Sequence, residues 1–147
     1  MSLRDGAAKM SKSDPSDNSR INLTDDAEAI SQKVRKARTD PDPLPETMEG
    51  LEGRAEAKNL VAIYAALAGV PETAVLAEYA GQGFGTFKPK LADLAVSVMG
   101  PIGAEMRRLL ADPGEIDRIL ADGAQRARAQ AAPTVAEVKK LVGYWAG

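Results

Sequence analysis

Cysteine and histidine are both absent from the 147 residues. Their absence excludes disulfides, thiol nucleophiles, imidazole general bases and nearly all zinc sites. Any chemistry must therefore use lysine, serine, arginine, carboxylates or backbone groups. Such groups are better suited to stabilising the charge of phosphates than to nucleophilic catalysis.

Long apolar runs are missing as well. No segment approaches the roughly 18 apolar residues that cross a bilayer, and no apolar signal-peptide segment follows Met1. We therefore expect a cytoplasmic protein without a membrane partner.

The net charge of −2 argues against a DNA-binding protein. The length suits one domain, or one domain with a fragment of another.

Apolar residues recur at steps of three and four along most of the chain, and no sustained alternating pattern indicates a strand. This periodicity predicts an all-α fold, a bundle of five or six helices preceded by a non-helical N-terminal loop arm over residues 1–20. The first four predicted helices run from a cap at Thr24 to about Thr39, over 55–68, from Pro71 to about Tyr79, and over about 86–110 with a kink at Gly100-Pro101.

Prolines divide the rest of the chain. Three prolines between residues 40 and 45, followed by Gly50 and Gly53, predict a non-helical linker to about residue 54. Asp112-Pro113-Gly114 predicts the start of a further helix, and Pro133 predicts its interruption or a kink. Thr134 is expected to cap a last helix. The residues expected to be buried in these two helices are Ile116, Ile119, Leu120, Val135, Val138, Leu141, Val142 and Trp145.

The strongest chemical signal is the run Lys9-Met10-Ser11-Lys12-Ser13, followed by Asp14-Pro15. Two lysines on a short polar loop can surround a polyphosphate, while serine hydroxyls and loop amides donate hydrogen bonds. A mobile lysine can also stabilise a leaving pyrophosphate. An arbitrary pair of lysines at this spacing is far more often a solvated surface loop.

The run matches, without a mismatch, the KMSKS signature of class I aminoacyl-tRNA synthetases. Further segments resemble tryptophanyl-tRNA synthetases along the chain. They are Ile21-Asn22-Leu23-Thr24-Asp25-Asp26, the positions Ile30, Lys33-Val34 and Ala37 up to Thr39-Asp40, Asn59-Leu60-Val61-Ala62-Ile63-Tyr64 and Phe87-Lys88-Pro89-Lys90-Leu91-Ala92. The resemblance extends over essentially the whole chain. Bacterial tyrosyl-tRNA synthetases usually carry a different version of the signature.

The resemblance implies activation of tryptophan by ATP with Mg²⁺, followed by transfer to the tRNA for tryptophan. In that reaction Lys12 would stabilise the pyrophosphate group, and Lys9, Met10, Ser11 and Ser13 would join it in binding ATP. Residues 1–20 would be this loop with a remnant of the catalytic domain, and residues 21–147 a helical anticodon-binding domain. No resident metal or prosthetic group is implied.

One part of the family pattern has no counterpart here. The nucleotide-binding fold with its HIGH-like signature, and the pocket for the indole ring, belong to the N-terminal part of these synthetases. We therefore expect this chain alone to be inactive and to require that catalytic half as a partner. A face that normally meets that half could also support self-association. The alternative is a free-standing helical RNA-binding or interaction module derived from a synthetase.

Other residues give weaker signals. Exposed cations could contact tRNA phosphates, but no motif identifies an anticodon-binding residue, and the few aromatic residues favour core packing. Adjacent Asp25 and Asp26 are expected to stabilise a helix N-terminus rather than bind magnesium. The glycine-rich stretch from residue 81 to 85 is expected to be a turn rather than a nucleotide loop. The cations considered are Arg107, Arg108, Arg126, Arg128, Lys139 and Lys140.

Overall fold

The computed structural model describes residues 1–144, and Trp145, for which burial was expected, lies outside this range. The described residues form five α-helices and two short 3-10 turns and contain no strand, which confirms the all-α prediction. The helices are α1 (Ala27–Arg35), α2 (Ala55–Ala68), α3 (Glu72–Tyr79), α4 (Phe84–Ala111) and α5 (Pro113–Leu141). The 3-10 turns are Asp17–Ser19 and Glu49–Leu51.

The chain divides into two compact units, Met1–Met106 and Arg107–Gly147. The boundary falls inside α4. Within residues 1–144 no single helix is both long and apolar enough to cross a bilayer. The consecutive helices α2 and α3 reach that length and apolarity together, but the chain turns by 109° between them.

The core of the first unit is built from both helical and non-helical segments. Leu60 and Val61 of α2 are almost inaccessible to solvent, as are Phe87 and Leu91 of α4. The non-helical segments contribute further core residues, which are Leu3, Leu44 and Leu51. The non-helical N-terminal segment is therefore packed against the helices of this unit.

Four aromatic rings meet inside the first unit. Tyr64 and Tyr79 share a hydrogen bond of 3.0 Å between their hydroxyl groups, and the rings of Tyr79 and Phe87 lie 5.1 Å apart in an edge-to-face arrangement. Phe84 packs edge-on against Phe87. Burial, reinforced by the hydrogen bond to Tyr64, raises the pKa of Tyr79 well above its ordinary value. These contacts confirm that the aromatic residues of this unit serve core packing.

Helix α1 is shorter than predicted at both ends. Its N-cap is Asp26, whose carboxylate accepts a hydrogen bond of 2.8 Å from the Ala29 amide, and Thr24 lies outside the helix. At the other end the Arg38 amide donates to the Leu3 carbonyl at 2.8 Å. This long-range bond takes the backbone out of the helical pattern, so the prediction of a helix to Thr39 was wrong.

The proline-rich segment before α2 is fixed to the core rather than forming a loose linker. Leu44 is 1% exposed, and its backbone exchanges hydrogen bonds with Gly81 and Gln82. Arg54 closes the segment by pairing with the Asp40 carboxylate at 2.6 Å and donating to two backbone carbonyls. Helix α2 then begins and ends where the sequence predicted.

Helix α4 begins two residues earlier than predicted and continues through Gly100 and Pro101 as one helix. Its apolar stripe is buried in the first half, but Val98 and Ile102 are 37% and 49% exposed. The three- and four-residue periodicity of this segment thus coincides with a buried face in the first half of α4. Periodicity marks an apolar face but does not say whether another element covers it.

Helix α5 departs most from expectation. It passes through Pro133 without interruption, so Thr134 is an interior residue and no separate last helix exists within the described residues. The nine residues before this proline, 124–132, are all alanine, glutamine or arginine, and these strong helix formers offset part of its penalty. Ile116 is half-buried, but every other residue expected to be buried here and described by the structure is exposed. These are Ile119, Leu120, Val135, Val138, Leu141 and Val142.

Candidate functional site: a lysine loop fastened to the helical core

Residues 9–18, hereafter the lysine loop, leave the core between two backbone anchors. The Ser2 amide donates to the Ala8 carbonyl at 2.9 Å, and the Leu3 amide donates to the Ser19 carbonyl at 2.9 Å. Ser2, Leu3 and Ser19 are all buried. Both ends of the loop are therefore held by the same buried dipeptide, and the lysines lie on the segment between them.

The anchor itself rests on α2. The Asn59 side chain accepts a hydrogen bond from the Met1 amino group at 3.0 Å and donates one to the Ser2 carbonyl at 3.1 Å. Gly6 approaches the start of α2 so closely that a Cβ atom there would lie 2.4 Å from the backbone of Ala55. The position of the loop is thus set by contacts with a helix some fifty residues later in the chain.

Inside the lysine loop a turn forms between Ser11 and Asp14. The Asp14 amide donates to the Ser11 carbonyl, and the Ser13 amide donates to the Ser11 hydroxyl, both at 3.2 Å. The Asp14 carboxylate then accepts a hydrogen bond of 2.7 Å from the Ser16 amide. Ser11 and Asp14 therefore shape the turn on which Lys12 lies.

The cationic side chains of the loop face solvent. Lys9 and Lys12 are exposed, and neither forms an ion pair with a carboxylate among residues 1–144. Met10 between them is 40% exposed, so an apolar side chain lies beside the two charges. Two unneutralised ammonium groups on one short loop can attract a polyanion from solution.

A chain of charged side chains joins the base of the loop to α1. Arg20 lies 3.3 Å from the Asp17 carboxylate, and Lys33 of α1 lies 2.6 Å from both Asp17 and Asp25. Lys33 is 6% exposed, which is unusual for a lysine. Because its ammonium group contacts two carboxylates, its charge is compensated despite burial.

The electrostatics of this network follow from those contacts. The hydrogen bond from Lys33, with help from Asn22, holds the pKa of Asp17 below its ordinary value. Burial alone would lower the pKa of Lys33, but its hydrogen bonds to Asp17 and Asp25 outweigh that effect and raise it. Asp17 and Lys33 are thus both kept in their charged forms near neutral pH.

With this geometry in view, comparison with known proteins decides the family. The family model described as class I tRNA synthetases (W and Y) matches residues 1–99. This chain belongs to the class I tRNA synthetases. That match contains the whole lysine loop, the Arg20–Lys33 network and the core helices α1 to α3.

Individual relatives point to the tryptophan branch of these synthetases. Over 145 residues this synthetase chain is 69% identical to a tryptophan–tRNA ligase of Caulobacter vibrioides, covering 99% of this chain and 42% of that relative. It is 60% identical to a tryptophan–tRNA ligase of Agrobacterium fabrum, covering 98% of this chain and 41% of the relative. The chain therefore spans about two fifths of the length of the curated relatives it matches.

A solved structure supports the same fold. The tryptophanyl-tRNA synthetase of Mycoplasma pneumoniae superposes with a TM-score of 0.77, covering 99% of this chain and 45% of that one. The sequence identity is 24%, so this likeness concerns the fold. The helical architecture is thus shared by synthetases that have diverged considerably in sequence.

The remaining candidate residues have other partners in the structure. Asp25 pairs with Lys33, and Asp26 caps α1. Gly81, with a φ of 73°, forms the turn between α3 and α4, and Gln82 bonds the Leu44 backbone. Within residues 1–144 no three carboxylates are grouped so that they could hold a metal ion.

The candidate tRNA-contacting cations all belong to the second unit, and all are exposed. Arg108 forms a two-bond pair with Glu115 at 2.6 and 2.8 Å, and Arg126 pairs with Asp122 at 3.0 Å. The others are Arg107, Arg128, Lys139 and Lys140. The charges of the paired arginines are partly neutralised by their carboxylate partners. Lys139 and Lys140 lie in the last turn of α5, where positive charge interacts favourably with the helix dipole.

Arg20 and Lys33 were not predicted as site residues. The sequence held one clue, because Lys33 interrupts the apolar stripe of α1 next to Val34, and an acidic segment precedes that helix. A lysine on a buried face needs an anionic partner. Which carboxylates provide it depends on how residues 17–25 fold back on α1, and this is a tertiary contact.

Proposed function

We propose that this chain supplies the ATP-binding loop and the helical anticodon-binding part of a tryptophan–tRNA ligase. The observation that carries the proposal is the exposed, doubly anchored lysine loop in a chain 69% identical to such a ligase. The substrates would be tryptophan, ATP with Mg²⁺ and the tRNA for tryptophan. The compartment would be the cytoplasm.

Each loop residue has a role in this proposal. Lys12 stabilises the negative charge that develops on pyrophosphate as tryptophan attacks the α-phosphorus of ATP, and Lys9 assists at the phosphates. Ser11 and Ser13 hold the turn and offer hydrogen bonds, while the backbone around Met10 lies beside the adenine ring. Stabilisation of developing charge by a positioned cation accelerates the step without proton transfer.

We also propose the division of labour between the segments. Residues 1–20 complete the catalytic site, and residues 21–147 bind the anticodon arm. Exposed cations on α5, such as Arg128 and Lys139, are suited to phosphate contacts. Tryptophan activation requires a nucleotide-binding half that the described residues do not provide, so the isolated chain is expected to be inactive.

A chimera tests the proposal directly. The matching segment of the Caulobacter vibrioides ligase would be replaced by this chain, and tryptophan-dependent exchange of pyrophosphate into ATP would be measured. We expect the chimera to be active and the Lys12→Ala variant to be about a hundredfold slower. The Lys90→Ala variant removes an exposed lysine of α4 and serves as the matched control, with little change expected.

Two results would overturn the proposal. A chimera that folds but catalyses no exchange would show that this chain does not serve the reaction. An active chimera in which Lys12→Ala and Lys90→Ala behave alike would remove the catalytic role of the loop. If the isolated chain bound RNA tightly but could not replace the ligase segment, the free-standing RNA-binding module would be favoured instead.

A further inference from the structure

Arg20 lies at the base of the lysine loop and forms hydrogen bonds with the backbone of its turn. One of its Nη atoms donates to the Asp14 carbonyl at 3.1 Å and to the Ser11 carbonyl at 3.4 Å. These carbonyls belong to the first and last residues of the turn that carries Lys12. The Arg20 side chain is 18% exposed, so it lies largely beneath the turn.

The guanidinium of Arg20 is itself held in place. Its Nε donates to the Asn22 amide oxygen at 3.2 Å, and its second Nη lies 3.3 Å from the Asp17 carboxylate. Asp17 is bound in turn by the buried Lys33 of α1. A continuous series of contacts therefore connects a rigid helix to the carbonyls of the catalytic turn.

From this arrangement we propose that Arg20 is a positioning residue for Lys12. Arg20 holds the turn between Ser11 and Asp14 in the shape that presents the Lys12 ammonium to pyrophosphate. It acts through the backbone of the loop and does not itself touch ATP. This inference rests on the proposed function of Lys12, and it assigns a role to a residue outside the signature run.

A double-mutant cycle in the chimera measures whether the effect of Arg20 on pyrophosphate exchange depends on Lys12. We expect Arg20→Ala to lower kcat for pyrophosphate exchange by about ten- to a hundredfold, with a smaller change in KM for tryptophan. The double variant Arg20→Ala with Lys12→Ala should be no slower than Lys12→Ala alone, because Arg20 acts through Lys12. Independent, multiplying effects would refute the positioning role.

Arg54 provides a matched control. Like Arg20 it pairs with an aspartate and donates to two backbone carbonyls, but these belong to the proline-rich segment at residues 42 and 43. Arg54→Ala therefore removes a comparable set of contacts without touching the lysine loop. We expect its effect on exchange to multiply with that of Lys12→Ala, as for two independent sites.

The conservative variant Arg20→Lys separates positioning from general stability. Lysine keeps the charge opposite Asp17 but lacks the planar fork that serves both carbonyls and Asn22. We expect it to recover about threefold of the kcat lost in Arg20→Ala. An Arg20→Lys variant as slow as Arg20→Ala, with an unchanged melting temperature in both, would argue against charge-assisted positioning.

Amide hydrogen exchange on the isolated chain tests the geometry without any activity. The Asp14 and Ser19 amides are bonded within the loop and its base, and we expect both to exchange faster in Arg20→Ala than in Arg54→Ala. Equal exchange in the two variants would show that Arg20 does not order the loop. Failure of the proposed function is a different result, namely an active chimera indifferent to Lys12→Ala.

Discussion

The side-chain amide of Asn59 donates a hydrogen bond of 3.1 Å to the carbonyl of Ser2, and this contact fastens the N-terminal segment to α2. The neighbouring Leu3 amide bonds the far end of the lysine loop. A buried polar residue of a core helix thus determines where the loop begins. Asn59 is buried, but both ends of its amide are satisfied, so its burial carries little penalty.

Replacing Asn59 with leucine should lower the free energy of unfolding by about 1–3 kcal/mol, because the buried Ser2 carbonyl loses its partner. Urea unfolding of the isolated chain measures the loss. Lys58→Ala, at the exposed neighbouring position on α2, is the control and should change stability little. Equal stability of Asn59→Leu and the parent chain would show that the anchor is not needed.

Replacing Gly6 with alanine should lower the stability of the folded chain, whereas replacing Gly100 with alanine should raise it. At Gly6 a Cβ atom would lie 2.4 Å from the backbone carbonyl of Ala55, so Gly6→Ala forces the backbone around residue 6 away from α2 and destabilises the chain. At Gly100, inside α4, a Cβ meets nothing within 4 Å. Gly100→Ala should therefore stabilise by about 0.5–1 kcal/mol through helix propensity. Melting temperatures that shift in the same direction would contradict this reading of the contacts.

Acid should weaken the first unit through Asp40. Its hydrogen bonds from Arg54 hold the pKa of Asp40 below the ordinary value of 3.8, so the folded state favours the charged form. The resulting stability is present above about pH 4 and is lost as the pH falls through the lowered pKa. Urea midpoints measured from pH 6 to pH 3 should therefore fall.

The Arg54→Gln variant provides the comparison for that titration. Without the guanidinium, the pKa of Asp40 returns toward its ordinary value, and the fall in the urea midpoint should be shallower than in the parent chain. Asp17 is also held in its charged form, by Lys33, and contributes to the remaining slope. Parallel pH profiles for the parent and Arg54→Gln would exclude a stabilising role for the Asp40–Arg54 pair.

Exposed apolar residues along α5 lead us to expect that the isolated chain self-associates. Leu120 and Val138 are 64% and 50% exposed, and neighbouring apolar residues extend the same helix surface. Light scattering should show an average mass that rises with concentration. Combined Leu120→Gln and Val138→Gln should suppress the rise, whereas the control Ala129→Gln should not. A monomer at all concentrations would contradict this expectation.

The sequence by itself was sufficient for the local features. Apolar periodicity predicted the all-α class, and the end of α2 was predicted correctly because Gly69 adopts a left-handed φ of 69° there. The signature run was recognised from five residues because the signature is defined by residue type and spacing. Both kinds of information lie within a few neighbouring residues of the chain.

The tertiary structure decided what depends on distant partners. Helix α1 ends early because the Arg38 amide donates a hydrogen bond to the Leu3 carbonyl. Leu44 is held in the core because its amide donates to the Gln82 carbonyl and its carbonyl accepts from the Gly81 amide. The link from Lys33 to Arg20 likewise forms only when the loop folds back on α1. Hydrogen bonds and ion pairs between residues far apart in sequence leave no periodic trace, so only the folded chain shows which groups meet.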